Sequence, residues 1–394
     1  MTAATPDRRP TPAAPARAAL DAARGRDLTP VVRERHLVVC TGSGGVGKTT
    51  TAAALALGAA RRGRRTVVLT IDPARRLAQS LGLRALDNSP RPVAGVEGLH
   101  AMMLDMKRTF DDVVERYAPD PARAAGIRSN RFYQQMSSSL AGTQEYMAME
   151  KLHALHAARE WDCIVVDTPP TRHALDFLDA PRRLTDFLEG RFLKVFLAPG
   201  MAAGKTLGRA VGFGTGLFMR AASRITGSQV LDDLGAFFQA FEGMYDGFKR
   251  RAQAVYGLLQ EPGSAFVVVA GPEVPALREA RFFLRRLQQE GMPTAGVVVN
   301  RTTPPVDAAL AGLDRRAVAA AARHLDGGVA ERTTAQLLRL HLDRVDVVRR
   351  EQRTIAAALR DIDPRALVQV PLMDSDVHDL AGLAAVGRYL YHDD

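Results

Sequence analysis

The sequence predicts an α/β protein: a doubly wound, mostly parallel sheet with an inserted α-helical subdomain. Three observations predict it. Short apolar, β-branched runs recur along the 394 residues with helical stretches between them, the pattern of strands covered on both faces of a sheet. A glycine-rich turn, Gly42 to Gly47, follows the first run and precedes an Ala/Leu-rich helical stretch. Two long stretches, about 105–160 and 171–260, break the alternation: the first has helical pattern and the second lacks a convincing strand.

Residues 1–33, rich in Ala, Pro, Arg and Thr, read as a flexible N-terminal arm, and 34–394 as the domain. His36–Cys40 is the first strand, and Thr49–Arg62 the helix after the glycine turn. Thr66–Ile71, Leu99–Leu104, Cys163–Val166, Ala265–Ala270, Ala295–Val299 and Ala366–Val370 repeat the apolar run, about seven strands in all. Within 171–260, Leu234, Phe237, Phe238, Phe241, Met244, Tyr245, Phe248 and Tyr256 fall at helical spacing as one wide apolar stripe. A helical pair over about 306–360 places Leu338, Leu342, Val345, Val348, Ile355 and Leu359 on one face.

Composition removes several classes. With 46% hydrophobic and 24% charged residues, the chain has a core and is not globally disordered. Two cysteines, Cys40 and Cys163, exclude a disulfide scaffold and a four-cysteine zinc site within one chain. No apolar run reaches the roughly 18 residues that would cross a bilayer, and a reducing cytoplasm is the expected location. The net charge of +10 comes from 47 arginines and 6 lysines spread over tail, helices and loops. It reads as background composition, and nucleic acid is not the expected partner.

Gly42-Ser43-Gly44-Gly45-Val46-Gly47-Lys48-Thr49 satisfies the spacing G-x₄-G-K-[ST]. Glycines let the backbone curl its N–H groups around phosphate oxygens, and the helix that follows adds its positive end. In that geometry Lys48 reaches the β/γ-phosphates and the Thr49 hydroxyl faces Mg²⁺; Thr50 completes the stretch expected to hold ATP. Asp72 ends the second strand in Thr-Ile-Asp-Pro-Ala-Arg75-Arg76, and Asp167 ends another in Val-Val-Asp-Thr-Pro-Pro-Thr-Arg172-His173. Ligands bind at the carboxyl ends of strands in such a sheet, so both carboxylates face the loop's crevice as partners for Mg²⁺ or its water. The competing reading for each is a helix-capping Asp. Asn300, which ends a later strand, is by sequence alone more often a turn residue.

The order of these motifs, continued by Val-Val-Asn300 and Val-Pro371-Leu372-Met, resembles the arsenical pump-driving and tail-anchored-protein-targeting ATPases. These are the ArsA-type members of the SIMIBI class of P-loop NTPases. The resemblance spans about 34–390. It implies that Asp72 activates the attacking water and that Asp167 holds Mg²⁺ through water. It implies that Asn300 reads adenine, with the backbone near Pro371 and Leu372 beside the base. It also implies nucleotide-driven closure of a dimer.

The chain departs from that pattern in three places. Members of the class usually carry a second lysine early in the loop, where this sequence has Ser43. Either Arg75, Arg76 or Arg172 replaces it, or these are solvated cations, or Ser43 marks a subunit that pairs with a paralogous chain. No Cys-x-x-Cys occurs, so the family's zinc clasp cannot form and soft thiolate sites for metalloids are missing. His153 and His156 share a helix face without a third ligand.

Residues 190–231 contain Arg191, Lys194, Lys205, Arg209, Arg220 and Arg224, no acidic residue, and interleaved Phe192, Phe196, Phe213 and Phe218. That composition fits an apolar groove for a hydrophobic or membrane-protein client, contact with a membrane surface, or an insertion that caps the core. The expectation is therefore a Mg²⁺-dependent ATPase, as a homodimer or a heterodimer, that handles such a client. The alternatives are a partition-type ATPase of the MinD/ParA kind on membrane or DNA, and a low-turnover nucleotide-binding subunit.

Overall fold

Strand side chains are dealt alternately to two cores. In β1 (Leu37–Gly42), Leu37 and Val39 join one apolar core and Val38 and Cys40 the other. β2 (Thr66–Thr70) sends Val67 and Leu69 one way and Val68 the other. Successive residues of a strand face opposite sides, so burial on both sides requires the uninterrupted β-branched runs seen in the sequence. The structure, a computed structural model, describes residues 27–131, 133, 134, 137, 143–169, 244–304, 315–325, 327–359 and 367–392.

The remaining strands are β3 (Arg91–Pro92), β4 (Leu99–Met103), β5 (Cys163–Asp167), β6 (Ser264–Ala270), β7 (Thr294–Thr302) and β8 (Leu367–Pro371). They form one sheet in the order β3-β4-β2-β5-β1-β6-β7-β8. Every neighbouring pair is parallel except β3–β4. All seven expected strands occur. The additional one among the described residues, β3, is two exposed residues at the sheet edge, where Pro is tolerated and no apolar run announces a strand.

The described helices are, in chain order, α1 (Thr29–Glu34), α2 (Lys48–Arg61), α3 (Arg76–Ser80), α4 (Met106–Tyr117), α5 (Pro121–Ser129), α6 (Thr143–Ala158), α7 (Tyr245–Gln260), α8 (Val274–Gln289), α9 (Arg315–His324), α10 (Val329–Ala358) and α11 (Leu380–Leu390). One core joins Val39 and Val166 to Phe110, Met147, Phe248 and Leu277, so α4, α6, α7 and α8 cover that face. The other joins Val38 and Val165 to Val31, Leu55, Leu77 and Leu383 on α1, α2, α3 and α11.

α2 is buried around most of its circumference from Thr51 to Ala60, which strong helix formers with small side chains permit. A Cβ on its Gly58 would lie 2.4 Å from Cζ of Tyr391, whose hydroxyl donates to the Ala54 carbonyl at 3.0 Å. Gly58→Ala is therefore expected to overpack the helix contact. It should lower stability by about 1–3 kcal/mol despite alanine's better helix propensity, read as a lower urea midpoint.

The boundary of the N-terminal arm differs from expectation. Leu28, Val31 and Val32 are buried, α1 occupies Thr29–Glu34, and the Leu28 N–H donates to the Leu390 carbonyl at 2.6 Å. Three apolar side chains at helical spacing outweigh the polar composition around them; residues 1–26 lie outside the described residues. The 105–160 stretch supplies α4, α5 and α6. Of the aromatic stripe, Met244 and Phe248 are buried, with Phe248 5.3 Å from Tyr146 and 6.4 Å from Phe110 between ring centres. These two are core residues. Leu234, Phe237, Phe238 and Phe241, and all of 190–231, lie outside the described residues. Ile355 and Leu359 are buried as expected, while Leu338, Leu342, Val345 and Val348 on the same face are half-buried.

Candidate nucleotide site

β1 is central in the sheet, and the Gly42–Gly47 loop leaves its carboxyl end to start α2. Two glycines are sterically required. A Cβ on Gly42 would sit 2.0 Å from the Val269 carbonyl oxygen of neighbouring β6. Gly47 has φ 93° and its Cβ would meet Asn300 Nδ2 at 2.1 Å. The loop thus fits against its neighbours only with bare backbone at these points.

Lys48 begins α2 and is 5% exposed. Its Nζ donates to the Ser43 carbonyl at 2.8 Å, folding the side chain across the loop. Burial pushes its pKa down, against the pull of Asp167 and Asp72. The Thr49 hydroxyl donates to Asp167 Oδ2 at 2.8 Å, and Thr70 donates to the same oxygen at 2.9 Å. Asp167 is fully buried, and burial raises its pKa to about 6 in spite of both hydroxyls and Lys48, with Asp72 adding to the rise. Its Oδ1 has no hydrogen-bond partner among the described residues. A buried carboxylate with an orphaned oxygen beside a threonine hydroxyl fits a hard, oxygen-seeking cation such as Mg²⁺.

Asp72 is half-buried, and its Oδ1 accepts from the Ala74 N–H at 3.0 Å. One of its oxygens is therefore engaged in a local turn; it does not cap the next helix, whose N-cap is Arg75 without a side-chain cap bond. Thr70, two residues earlier, was not singled out in the sequence. Besides donating to Asp167 it accepts from the Asp72 N–H at 3.2 Å, so one buried hydroxyl ties the Asp167 carboxylate to the backbone at Asp72. Nothing marks such a threonine in a strand except its place before the Asp.

Two cavities flank the loop. One of 520 Å³ is lined by Ser43, Gly44, Gly45 and Val46, together with Glu273, Glu279 and Arg301. The other, of 430 Å³, brings Gly47 and Thr50 together with Arg76, Asn300, Pro371 and Leu372. Asn300 donates from Nδ2 to the Val46 carbonyl at 2.9 Å. Arg76 thus reaches a cavity wall. Arg75 is exposed and outside both linings, and Arg172 lies outside the described residues. Cys40 and Cys163 are buried thiols in β1 and β5, and burial pushes the Cys163 pKa to about 11. Among the described residues no group of three His, Cys, Asp or Glu side chains forms a metal cluster, and no helix is long and apolar enough to cross a membrane.

A parallel sheet, a phosphate loop on its central strand and two strand-end carboxylates facing that loop define a P-loop NTPase fold. The chain belongs to the anion-transporting ATPase family, whose model matches residues 35–318. It is similar to ATPase GET3 of Malassezia globosa, 26% identical over 289 residues that cover 73% of this chain and 79% of that protein. ATPase get3 of Pyrenophora tritici-repentis is 26% identical over 294 residues, 73% of this chain and 80% of that one. An uncharacterised protein of Streptomyces coelicolor is 29% identical over 282 residues, 70% of this chain and 65% of that one.

Proposed function

We propose that the chain hydrolyses ATP with Mg²⁺ and uses the cycle to handle a hydrophobic or membrane-protein client as part of a dimer. The observation that carries the hydrolytic reading is the convergence of Lys48, Thr49, Asp72 and Asp167 at one end of the sheet. The loop N–H groups and the start of α2 hold the phosphates. Lys48 leaves the Ser43 carbonyl for the β/γ-phosphates. Asp72, with Oδ1 held by Ala74, orients the attacking water through its other oxygen. Asn300, whose Nδ2 is engaged by the loop, offers Oδ1 to the adenine amine, and Pro371 and Leu372 flank the base. Thr49 and Asp167 would hold Mg²⁺, which supplies neutralisation of charge on the transferring phosphoryl group. Of Arg75 and Arg76, Arg76 is the one that lines a cavity beside the loop and could add a cation in cis.

The dimer and client parts rest on the family resemblance and on the composition of 190–231; Met244 and Phe248, being core residues, do not contribute to a client surface. The test is Mg²⁺-dependent phosphate release by the full chain, alone and mixed with a lysine-bearing paralogue. Asp72→Asn should lower kcat by roughly 10²–10⁴-fold while ADP binding persists. No turnover in either preparation would sink the hydrolytic reading. Native mass measurement with and without ATP and Mg²⁺ reads the subunit count and any bound client.

A further inference from the structure

Adjacent residues of a strand point to opposite faces, yet Asn300 and Arg301 both reach the phosphate loop. The pairing of β7 with β8 shows how. Asn300 pairs with Val370 and Thr302 with Pro371, so Arg301 is an extra residue in the ladder. Its φ is 61°, left-handed and unusual for a side chain of this size. A bulge of this kind re-aims a side chain next to a site. Here it turns the guanidinium onto the loop, where Nη1 donates to the Gly45 carbonyl at 3.1 Å. Asn300 takes the next carbonyl, Val46, at 2.9 Å.

Two successive side chains thus clamp two successive peptides from outside. The Gly45 carbonyl shares its peptide with the Val46 N–H, and the Val46 carbonyl with the Gly47 N–H. Donation to a carbonyl polarises the peptide and strengthens its N–H as a donor, and inward N–H groups of such a loop are what bind phosphate. Charge makes a second contribution. Arg301 lines both cavities beside the loop, and it is the one cation among the described residues that line the 520 Å³ cavity, whose lining also holds Glu273 and Glu279. Those carboxylates would repel a polyphosphate, and Ser43 brings no charge to oppose them.

We propose that Arg301 is a positioning residue of the nucleotide site: it holds the Gly45–Val46 peptide for a nucleoside polyphosphate and supplies the positive charge that Ser43 does not. The proposal rests on the nucleotide reading above. The test compares ADP affinity by calorimetry, and kcat and KM for ATP with Mg²⁺, in the full-length wild type, Arg301→Ala, Arg301→Lys, Arg301→Gly and Lys48→Ala. Arg301→Ala should weaken ADP binding roughly tenfold, since hydrogen bonds to charged groups are worth more than neutral ones. Arg301→Lys should recover part of the loss. Arg301→Gly should lose as much as alanine although glycine relaxes the left-handed backbone and raises the thermal midpoint. The idea is overturned if Arg301→Ala stays within about twofold of wild type in affinity and kcat/KM, or if Arg301→Gly restores binding along with stability. A wild type that binds no nucleotide sinks the nucleotide reading itself. Wild-type binding lost in Lys48→Ala but intact in Arg301→Ala sinks the Arg301 proposal alone.

Discussion

Lys48→Ala is expected to lower ATP turnover by roughly 10³-fold or more, the scale on which single preorganised charges act on developing phosphoryl charge, while the thermal midpoint of the ligand-free chain holds or rises. The two halves of this expectation have one cause. Lys48 is buried to 5% exposure, and burial depresses its pKa even with Asp167 and Asp72 nearby. Its described hydrogen bond goes to the Ser43 carbonyl, a neutral acceptor. In the ligand-free fold the ammonium is thus a desolvated charge held for later use, and removing it relieves more than it breaks. With nucleotide present the balance reverses, because the phosphate charge offsets that desolvation. Phosphate release assays and thermal melts with and without ADP separate the two. A large drop in the ligand-free midpoint would show that Lys48 is part of the fold's support rather than of its chemistry.

The parts of the site that follow local rules were legible in the sequence. Gly42 to Thr49 has a spacing set by phosphate geometry, and Asp72 and Asp167 end apolar runs, so their meeting follows from strand ends lying together in a parallel sheet. Arg301 was not legible, because its orientation depends on a bulge against β8, some seventy residues onward in the chain. Thr70 was missed for a related reason: its two partners, Asp167 and the Asp72 N–H, come together only once β2 lies beside β5. Composition misjudged the N-terminal arm because Leu28, Val31 and Val32 are few among polar neighbours, and only the groove beside α2 and α11 gives them a place to bury. What the sequence held was each strand that buries an apolar run, and the residue at its end; the edge strand β3 was not among them. What it did not hold were the lateral contacts that bend backbone at the rim.

Glu150→Ala is expected to destabilise the fold by about 3–5 kcal/mol, the cost of leaving a buried cation without its counter-charge. Glu150 on α6 and Arg251 on α7 pair at 2.7 Å with side chains 3% and 9% exposed. The Tyr146 hydroxyl donates to the same carboxylate. The guanidinium carbon lies 3.8 Å from the centre of the Tyr117 ring and 4.9 Å from that of Phe248. Burial, the largest influence, works against the Arg251 charge; the hydrogen bond it donates to Glu150 and the attraction of that carboxylate, with smaller contributions from Tyr146 and Tyr117, together outweigh it, so the net pKa moves up. Without Glu150 that balance is lost, and the rings recover only part of it. The double variant Glu150→Leu with Arg251→Leu should regain most of the loss, since an apolar pair of similar volume needs no desolvation to be repaid. Urea midpoints of the single and double variants form the cycle. The same helix carries Gln144, whose Nε2 donates to the Ile71 carbonyl at 2.8 Å, one residue before Asp72. Loosening α6 should therefore also lower kcat in Glu150→Ala, and the double variant should restore it. A single variant as stable as wild type would mean that Arg251 finds another partner.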